Sequence, residues 1–484
     1  MQVNEAVLEK AVARCRERGI IIPTFAQQRD PSLIPQSIKA RLKNVGLWDV
    51  DPLNLFRITW KNEPVKSGGL YNDGNWIEFP SALTGVDARI IGLVGKWFPT
   101  GSHKVGAGFG CLVPRLVSGQ FDPTTQKAVW PSTGNYCRGG AFDCALLGCH
   151  AVGILPEEMS RERFDWLHEI GAEVIATPGC ESNVKEIYDK CWEIRRTRPD
   201  CLIFNQFEEF GNAVWHYHTT GTIIDETFQR IAQPGQRFAS YVSATGSAGT
   251  IAAGDFLRTK YPAMRLVATE ALQCPTLLMC GFGGHRIEGI GDKHVPWVHN
   301  TRNTDVICAV DDEQCVSLMR LFNEPEGRAF LIEEGTPESL VSQLPLLGIS
   351  SICNLVAAIK TAGMFEMDGR DVIFTPLTDS MELYQSRMAE QRQLHGAYDR
   401  MTAARHFSRY LEAIGTDNMR ELTYFDRKTL HNFKYYTWVE QQQRDVEELH
   451  RLWDPGFWEE TFAQVTEWDQ MIEALNQRTG LAVD

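Results

Sequence analysis

One lysine lies in an unusual setting, between a turn and a run of glycines. Residues 99–104 read PTGSHK, and VGAGFG follows at 105–110. Small residues let backbone approach a bound group closely, and apolar neighbours lower the pKa of an amine. A desolvated lysine amine can form a Schiff base with a carbonyl compound. Lys104 is therefore a candidate site of covalent attachment, although a lone lysine is more often a surface residue beside a turn.

Two loops add groups that could hold anions. Ser132, Thr133, Gly134 and Asn135 follow the run KAVWP, and TGSAGT at 245–250 follows FASYVSA. Each loop opens a predicted helix, where backbone N–H groups and hydroxyls favour a carboxylate or a phosphate. The first loop alone could be a simple helix cap. The second matches neither a Walker loop nor a dinucleotide fingerprint, because the required glycine spacing is missing.

Short β-branched runs alternate with helical stretches between about 85 and 380. The stretches between runs, such as SRERFDWLHEIGA, carry apolar residues at three-to-four spacing. This alternation predicts an α/β protein with parallel sheets flanked by helices. The predicted strands are ARIIGLV, KAVWP, HAVGIL, AEVIATP, CLIFNQF, FASYVSA, MRLVATE, DVICAVD and DVIFTPL.

Composition narrows the possible functions of the 484 residues. A formal net charge of −14 disfavours binding to nucleic acid or to an anionic membrane. The amino end is charged and does not resemble a secretory signal, and no run approaches the ~18 apolar residues of a membrane span. Thirteen cysteines without a C-x-x-C pair fit neither a disulfide framework nor a zinc site. We expect a cytoplasmic protein without a bound metal.

Several motifs together resemble the fold type II pyridoxal-phosphate enzymes. Within that group the chain is most similar to the cysteine synthase and cystathionine β-synthase family, in the tryptophan synthase β-like superfamily. The motifs keep the family's order over about 300 residues, and jointly they are highly specific. They are PTGSHK, STGN, NQFEEFGNAVWHYHTTG, TGSAGT, RIEGIG, GISSICNLVAA and TDSMELYQS.

The resemblance implies roles for individual residues. Lys104 would bind pyridoxal 5'-phosphate as an internal aldimine and later act as the base at the substrate α-carbon. Asn135 would contact the ring hydroxyl, and Ser380 would face the pyridine nitrogen. The implied phosphate ligands are Gly246, Ser247, Ala248, Gly249 and Thr250, and the implied substrate ligands are Ser132, Thr133, Gly134, Asn135 and Gln206. A neutral Ser380 would favour loss of a β-substituent through an α-aminoacrylate over transamination.

Three positions depart from the family pattern in loops expected near the substrate. Arg138 follows the asparagine loop, and Lys293 with His294 follows RIEGIG. Arg138 and Lys293 are therefore candidate ligands for an extra anionic group on the substrate; solvated loop residues are the alternative. His103 could touch the cofactor phosphate or merely pack beside it.

The expected function is β-elimination or β-replacement on a β-substituted L-amino acid. A serine/threonine ammonia-lyase or racemase, and a catalytically inactive interaction protein, are the alternatives. We expect a homodimer that binds a small amino-acid substrate. Four parts are predicted: an amino-terminal arm at 1–49, a large cofactor-binding domain at 50–124 plus 226–388, a small mobile domain at 125–225, and a helical extension at 389–484. The Trp and Tyr residues of the extension predict that it packs on the body or between subunits.

Overall fold

Two β-sheets form the centre of the protein in a computed structural model that describes residues 2–64, 70–132, 134–159, 161–179, 184–291 and 293–481. All nine predicted runs contain a strand. Two further strands, Trp76–Phe79 and Met419–Glu421, were not predicted. The strands are β1 (Trp76–Phe79), β2 (Arg89–Val94), β3 (Lys127–Pro131), β4 (His150–Pro156), β5 (Glu173–Thr177), β6 (Cys201–Ile203), β7 (Arg237–Ala244), β8 (Arg265–Ala271), β9 (Val306–Val310), β10 (Asp371–Leu377) and β11 (Met419–Glu421).

The larger sheet has the strand order β1-β2-β10-β7-β8-β9-β11, and the smaller has the order β5-β4-β3-β6. All neighbouring strands of the smaller sheet are parallel. The larger sheet is parallel in its centre, but β1 and β11 pair antiparallel at its two edges. The expectation of parallel sheets therefore holds for the interior and not for these edges, where β11 comes from the carboxyl-terminal extension.

Helices surround both sheets. The amino-terminal arm contributes α1 (Glu5–Arg18), α2 (Phe25–Arg29) and α3 (Gln36–Leu42). The middle of the chain contributes α4 (Ser81–Thr84), α5 (Lys104–Val117), α6 (Asn135–Leu146), α7 (Arg161–Glu169), α8 (Val184–Thr197), α9 (Phe210–Trp215), α10 (Gly221–Ile231), α11 (Ala253–Lys260), α12 (Thr276–Met279), α13 (Asp312–Asn323), α14 (Pro325–Glu333), α15 (Glu338–Val341) and α16 (Ile349–Met364). Within the described ranges, none of the helices combines the length and apolar character that a membrane crossing requires.

The carboxyl-terminal extension folds back over the rest of the chain. Its helices are α17 (Gln385–His395), α18 (Arg400–His406), α19 (Tyr424–Lys434), α20 (Val446–Arg451), α21 (Pro455–Ala463) and α22 (Val465–Thr479). Trp468 of α22 packs against Phe25 of α2, with 5.6 Å between ring centroids. Asp469 accepts hydrogen bonds from the backbone N–H groups of Phe25 and Ala26. The extension thus shares a core with the amino-terminal arm, a contact that the sequence analysis did not specify.

Candidate functional site

The glycines after Lys104 allow close helix packing. A Cβ atom on Gly106 would lie 2.2 Å from the Trp215 ring, and one on Gly110 would lie 2.4 Å from the Gly211 carbonyl oxygen. Helices α5 and α9 therefore pack so closely that these positions have no space for a side chain larger than that of glycine. The glycine run positions the helix that begins at Lys104; it is not itself a ligand loop.

Lys104 contacts the loop that was predicted to hold an anion. Its side chain is buried, and its Nζ donates to Ser247 Oγ at 3.1 Å. Asn212 of α9 also donates to that hydroxyl, from Nδ2 at 3.0 Å. The lysine amine and the 245–250 loop are thus held together by one hydroxyl.

The backbone of this loop is shaped as an anion cradle. Ala248 has φ 59°, in the left-handed region, and a Cβ atom on Gly249 would lie 1.9 Å from Asn212 Oδ1. Among the described residues, the N–H groups at 246–249 donate to no protein acceptor. Successive N–H groups around a left-handed residue form a concave site that favours phosphate. Residues 246–249 therefore fit a phosphate group.

A narrow cleft joins this loop to residues at the ends of both sheets. Ser132 and Asn135 follow β3, Gln206 follows β6, and Gly246 follows β7. These positions lie at carboxyl ends of parallel strands, where ligands bind in such sheets. The cleft is lined by Lys104, Ser132, Asn135, Tyr136, Gln206, Phe207, Gly246, Ser247, Gly289, Ile290 and Gly291. The structure thus brings five non-glycine residues of the predicted site together, while Thr133 lies outside the described residues.

Asn135 is positioned by Asp379, which is in turn held by Tyr384; the sequence analysis assigned neither residue to the site. Its Nδ2 donates to Asp379 Oδ2 at 2.6 Å, and the Tyr384 hydroxyl donates to the same oxygen at 2.7 Å. Burial raises the pKa of Asp379 above its ordinary value. Asn135 Oδ1 is buried and has no hydrogen-bond partner in the described part of the chain. That oxygen is available to accept a hydrogen bond from a ligand hydroxyl.

Ser380 lies beside this network and outside the described lining of the cleft. It is buried and precedes the 3₁₀ turn Met381–Leu383, where its carbonyl accepts a hydrogen bond from Leu383 N. The sequence signal for Asp379 and Tyr384 was present, since both belong to the TDSMELYQS motif.

His103 supports the anion loop as a neutral side chain. Its Nε2 lies 2.9 Å from Thr250 Oγ1. Burial, together with the charge of Lys104, lowers the pKa of His103 to about 3. His103 therefore carries no positive charge near pH 7, and it orients Thr250 through a hydrogen bond.

Arg138 is enclosed by aromatic side chains instead of facing the cleft. Its guanidinium carbon lies 4.7 Å from the centre of the Trp166 ring and 5.6 Å from that of Trp48. Burial and the nearby charge of Arg163 lower the pKa of Arg138 to about 10. Arg138 thus lies outside the described lining of the cleft.

Lys293 and His294 also lie outside the described lining of the cleft. Lys293 Nζ lies 5.5 Å from the centre of the exposed Phe282 ring. His294 is buried, with its Nε2 3.0 Å from the Tyr188 hydroxyl, and burial lowers the pKa of His294 to about 3. Neither residue lines the described cleft as a cation.

His294 joins the cleft wall to the carboxyl-terminal extension. Its ring meets Phe207 edge-to-face at 5.1 Å and Trp438 at 5.3 Å between centroids. Trp438 is fully buried, and its Nε1 donates to Val295 O at 2.9 Å. Val298 N also donates a backbone hydrogen bond to Phe207 O, which links the segment after His294 to the cleft wall. The extension therefore supports the wall that carries Gln206 and Phe207.

Lys434 strengthens the same support from inside the protein. Its Nζ donates to Trp297 O at 3.0 Å and to His299 O at 2.7 Å. Burial lowers the pKa of Lys434 to about 7. A lysine on α19 thus holds the backbone that follows RIEGIG.

Comparison with known proteins agrees with this geometry. The family model described as pyridoxal-phosphate dependent enzyme matches residues 97–331. The cysteine synthase of Staphylococcus aureus is 30% identical over 289 residues, which are 60% of this chain and 84% of that protein. The chain belongs to the pyridoxal-phosphate dependent enzyme family. Within this family of enzymes it is of the cysteine synthase type.

Other relatives of this pyridoxal-phosphate enzyme extend the comparison. A probable cysteine synthase of Bacillus subtilis is 27% identical over 289 residues, which are 60% of this chain and 85% of that protein. The crystal structure of the O-acetylserine dependent cystathionine β-synthase from Helicobacter pylori has a TM-score of 0.54 at 24% identity, and it covers 64% of this chain and 94% of the other. That likeness shows the fold. The family model ends before the extension, which begins near residue 389.

The residues of the cleft fit the cofactor of the family. The N–H groups of the 246–249 loop suit its phosphate, Asn135 Oδ1 suits its ring hydroxyl, and Lys104 lines the same cleft. Among the described residues, no group of three or more His, Cys, Asp or Glu side chains could hold a metal ion.

Proposed function

We propose that this enzyme catalyses β-replacement or β-elimination on a β-substituted L-amino acid. The observation that carries the proposal is the position of Lys104, which shares one cleft with the anion loop and with Ser132, Asn135 and Gln206. Relatives named cysteine synthase support the same reaction class.

Bound pyridoxal phosphate supplies an electron-withdrawing ring that acidifies the substrate α-carbon. The Lys104 amine then takes the α-proton, since the hydroxyl of Ser247 holds it beside the cradle. Ser132, Thr133, Gly134 and Gln206 would bind the substrate carboxylate, and Asn135 would also contact the substrate. Lys104 and Gln206 are only 8% and 6% exposed, so the reacting groups are shielded from water.

Ser380 has a secondary role in the proposal. Ser380 would place an uncharged hydroxyl against the ring nitrogen, which weakens the ring as an electron sink and favours departure of the β-substituent. Ser380→Asp should increase transamination products relative to elimination. Unchanged product ratios would remove Ser380 from this role.

Racemisation is disfavoured by the residues of the cleft. A racemase needs a second base on the face opposite Lys104. Tyr136 is the other titratable residue in the described lining, and burial raises its pKa well above the ordinary value. A phenol with so high a pKa is a poor base at neutral pH.

The decisive experiment offers amino acids to the cofactor-loaded enzyme. O-acetyl-L-serine with sulfide, L-cysteine, L-serine and L-threonine should be assayed for thiol product, keto acid and inversion at the α-carbon. We expect thiol product or keto acid from a β-substituted substrate. Inversion without keto acid would overturn the proposal in favour of a racemase, and no turnover of a wide β-substituted panel would favour an interaction protein.

We also propose that the enzyme is a cytoplasmic homodimer divided at the predicted domain boundaries. The family resemblance and the acidic composition support assembly and location. The confinement of β3–β6 to 125–225 supports the small domain. Light scattering of the purified protein would test the dimer, and limited proteolysis would test the boundaries.

A further inference from the structure

A second cavity lies far along the chain from Lys104, between the body and the carboxyl-terminal extension. Its volume is about 400 Å³, within the range of small-molecule sites. Residues before β9 form one side, and α19 with the segment before α21 forms the other. The cavity is lined by Arg258, Arg302, Asn303, Leu422, Tyr424, Arg427 and Trp453.

Positive charge exceeds negative charge around this cavity. Asp305 accepts hydrogen bonds from both Arg258 and Arg427, so one carboxylate serves two guanidinium groups. Asp255 accepts a hydrogen bond from Asn303 of the lining, and burial raises the pKa of Asp255 to about 7, so it is only partly charged at neutral pH. The lining itself contains three arginines and no carboxylate.

Arg302 of the lining and a further cation, Lys428, share a single aromatic ring. Lys428 Nζ lies 4.4 Å from the centre of the Trp453 ring, and the Arg302 guanidinium carbon lies 5.4 Å from it. Arg302 also donates to Trp453 O at 3.0 Å. Partial burial and the nearby charge of Arg302 lower the pKa of Lys428. The ring thus holds two like charges close together, although they repel each other.

This arrangement is unexpected in a protein of net charge −14. Like charges placed close together destabilise a protein unless an opposite charge offsets them. In the described part of the chain, Lys428 has no hydrogen-bonding protein partner, and Arg302 is exposed toward solvent. Both cations are therefore available to a ligand that enters from outside.

We propose that this cavity binds a compact polyanion, either a phosphate-bearing or a polycarboxylate metabolite. Arg302 would approach the anion from the body, and Arg427 and Lys428 would approach it from α19. The anion would therefore join the two parts of the protein. Because α19 also carries Lys434, the ligand would steady the helix that supports the cleft wall.

Isothermal titration of the cofactor-loaded enzyme with inorganic pyrophosphate, at constant ionic strength, tests the proposal. Loaded cofactor keeps the anion from the 246–249 cradle, and an unchanged cofactor absorption spectrum checks this. We expect saturable one-to-one binding. A parallel titration with citrate distinguishes the two ligand sources, since the better ligand identifies phosphate or carboxylate chemistry.

Two variants and a matched control locate the binding. Lys428→Met and Arg302→Met should each weaken binding about ten- to hundredfold, the effect of one charge-assisted hydrogen bond. Arg409→Met is the control, because Arg409 is an exposed arginine of the extension that stacks on Tyr410 outside the cavity. Its affinity should equal that of the parent. Absence of saturable binding by both anions, or equal weakening in the control, would overturn the proposal.

Discussion

The body and the carboxyl-terminal extension use buried polar groups in opposite ways. In the body, Lys104, Asn135 and Ser247 converge on a cleft, where the buried Asn135 Oδ1 has no hydrogen-bond partner among the described residues. In the extension, Lys434 and Trp438 direct their N–H groups at backbone carbonyls of the body. The residues of the cleft and the residues that support its wall therefore lie in different parts of the chain. The two sets are connected through Phe207, which lines the cleft and packs on His294.

One buried group in each region should respond oppositely to pH. Burial raises the pKa of Glu270 in the body to about 8, and it lowers the pKa of Lys434 in the extension to about 7. A buried group disfavours its charged form in both cases. The two pKa values shift in opposite directions because a carboxyl group is charged when deprotonated, whereas an amine is charged when protonated.

The largest expected effect is on the chemistry of the body. Lys104→Ala should lower kcat/KM at least about 10³-fold, because the variant loses both the covalent attachment and the base. Its melting temperature should stay close to that of the cofactor-free parent. Borohydride reduction followed by peptide mapping should place the cofactor on Lys104. Finding the cofactor on Lys96, a half-buried lysine paired with Glu382, would contradict the assignment.

Removal of a large side chain from the extension should have the next largest effect. Trp438→Ala should lower the free energy of unfolding by about 3–5 kcal/mol, the usual effect of emptying a buried aromatic site. It should also raise KM for the amino acid about tenfold or more, since small displacements of positioning groups weaken catalysis strongly.

Trp438→Phe provides the matched control. It keeps much of the packing on His294 but loses the hydrogen bond to Val295 O. Its KM should lie between the values of the parent and the alanine variant. An unchanged KM in a folded Trp438→Ala variant would show that the extension does not position the cleft wall.

Much of the architecture follows from local pattern. Each of the nine β-branched runs contains a strand, and central strands such as β10 are buried along their whole length, because burial on both faces of a parallel sheet favours continuous apolar residues. Strand β11 gave no such signal, since Met419–Glu421 is a short edge strand with exposed residues. Its existence depends on pairing with β9, a contact that local sequence does not encode.

The site was predictable where its residues belong to linear motifs. Lys104, Asn135 and Ser247 lie in such motifs, and they meet in the structure. The environment of Arg138 was not predictable, because Trp48 and Trp166 approach it from distant segments. Asp379 was overlooked beside Ser380, although its carboxylate is what holds Asn135.

A smaller effect tests the opposite pH responses. Between pH 4.5 and 8 the folded protein keeps a proton on Glu270 that the unfolded chain loses, so stability falls as pH rises. Between pH 7 and 10.5 the unfolded chain keeps a proton that folded Lys434 loses, so stability rises with pH. Each group changes the slope by at most about 1.4 kcal/mol per pH unit.

Chemical denaturation of two variants separates these contributions. Glu270→Gln should flatten the fall measured from about pH 5 to 6, below the lowered pKa of Lys434, where that amine is protonated in both states. Lys434→Met should flatten the rise measured from pH 8 to 10, whatever its effect on absolute stability. Slopes equal to those of the parent would show that these groups have ordinary pKa values in the folded protein.

The smallest expected effect belongs to Arg138. Its guanidinium packs between two tryptophan rings, and its Nε and one terminal nitrogen have no hydrogen-bond partner in the described part of the chain. Cation–π contact contributes about 0.5–2 kcal/mol, and burial of the charge offsets part of that gain. Arg138→Met should therefore change the free energy of unfolding by no more than about 1 kcal/mol, and kcat/KM should stay within about twofold for neutral and anionic substrates alike.

The competing hypothesis, in which Arg138 binds an anionic group of the substrate, requires a ten- to hundredfold loss confined to the anionic substrate. Arg138→Lys distinguishes the two, because lysine keeps the charge but not the planar stacking. A loss confined to the anionic substrate in the methionine variant, restored in the lysine variant, would show that Arg138 binds the substrate. The interpretation that Arg138 only packs against the two tryptophans would then be wrong.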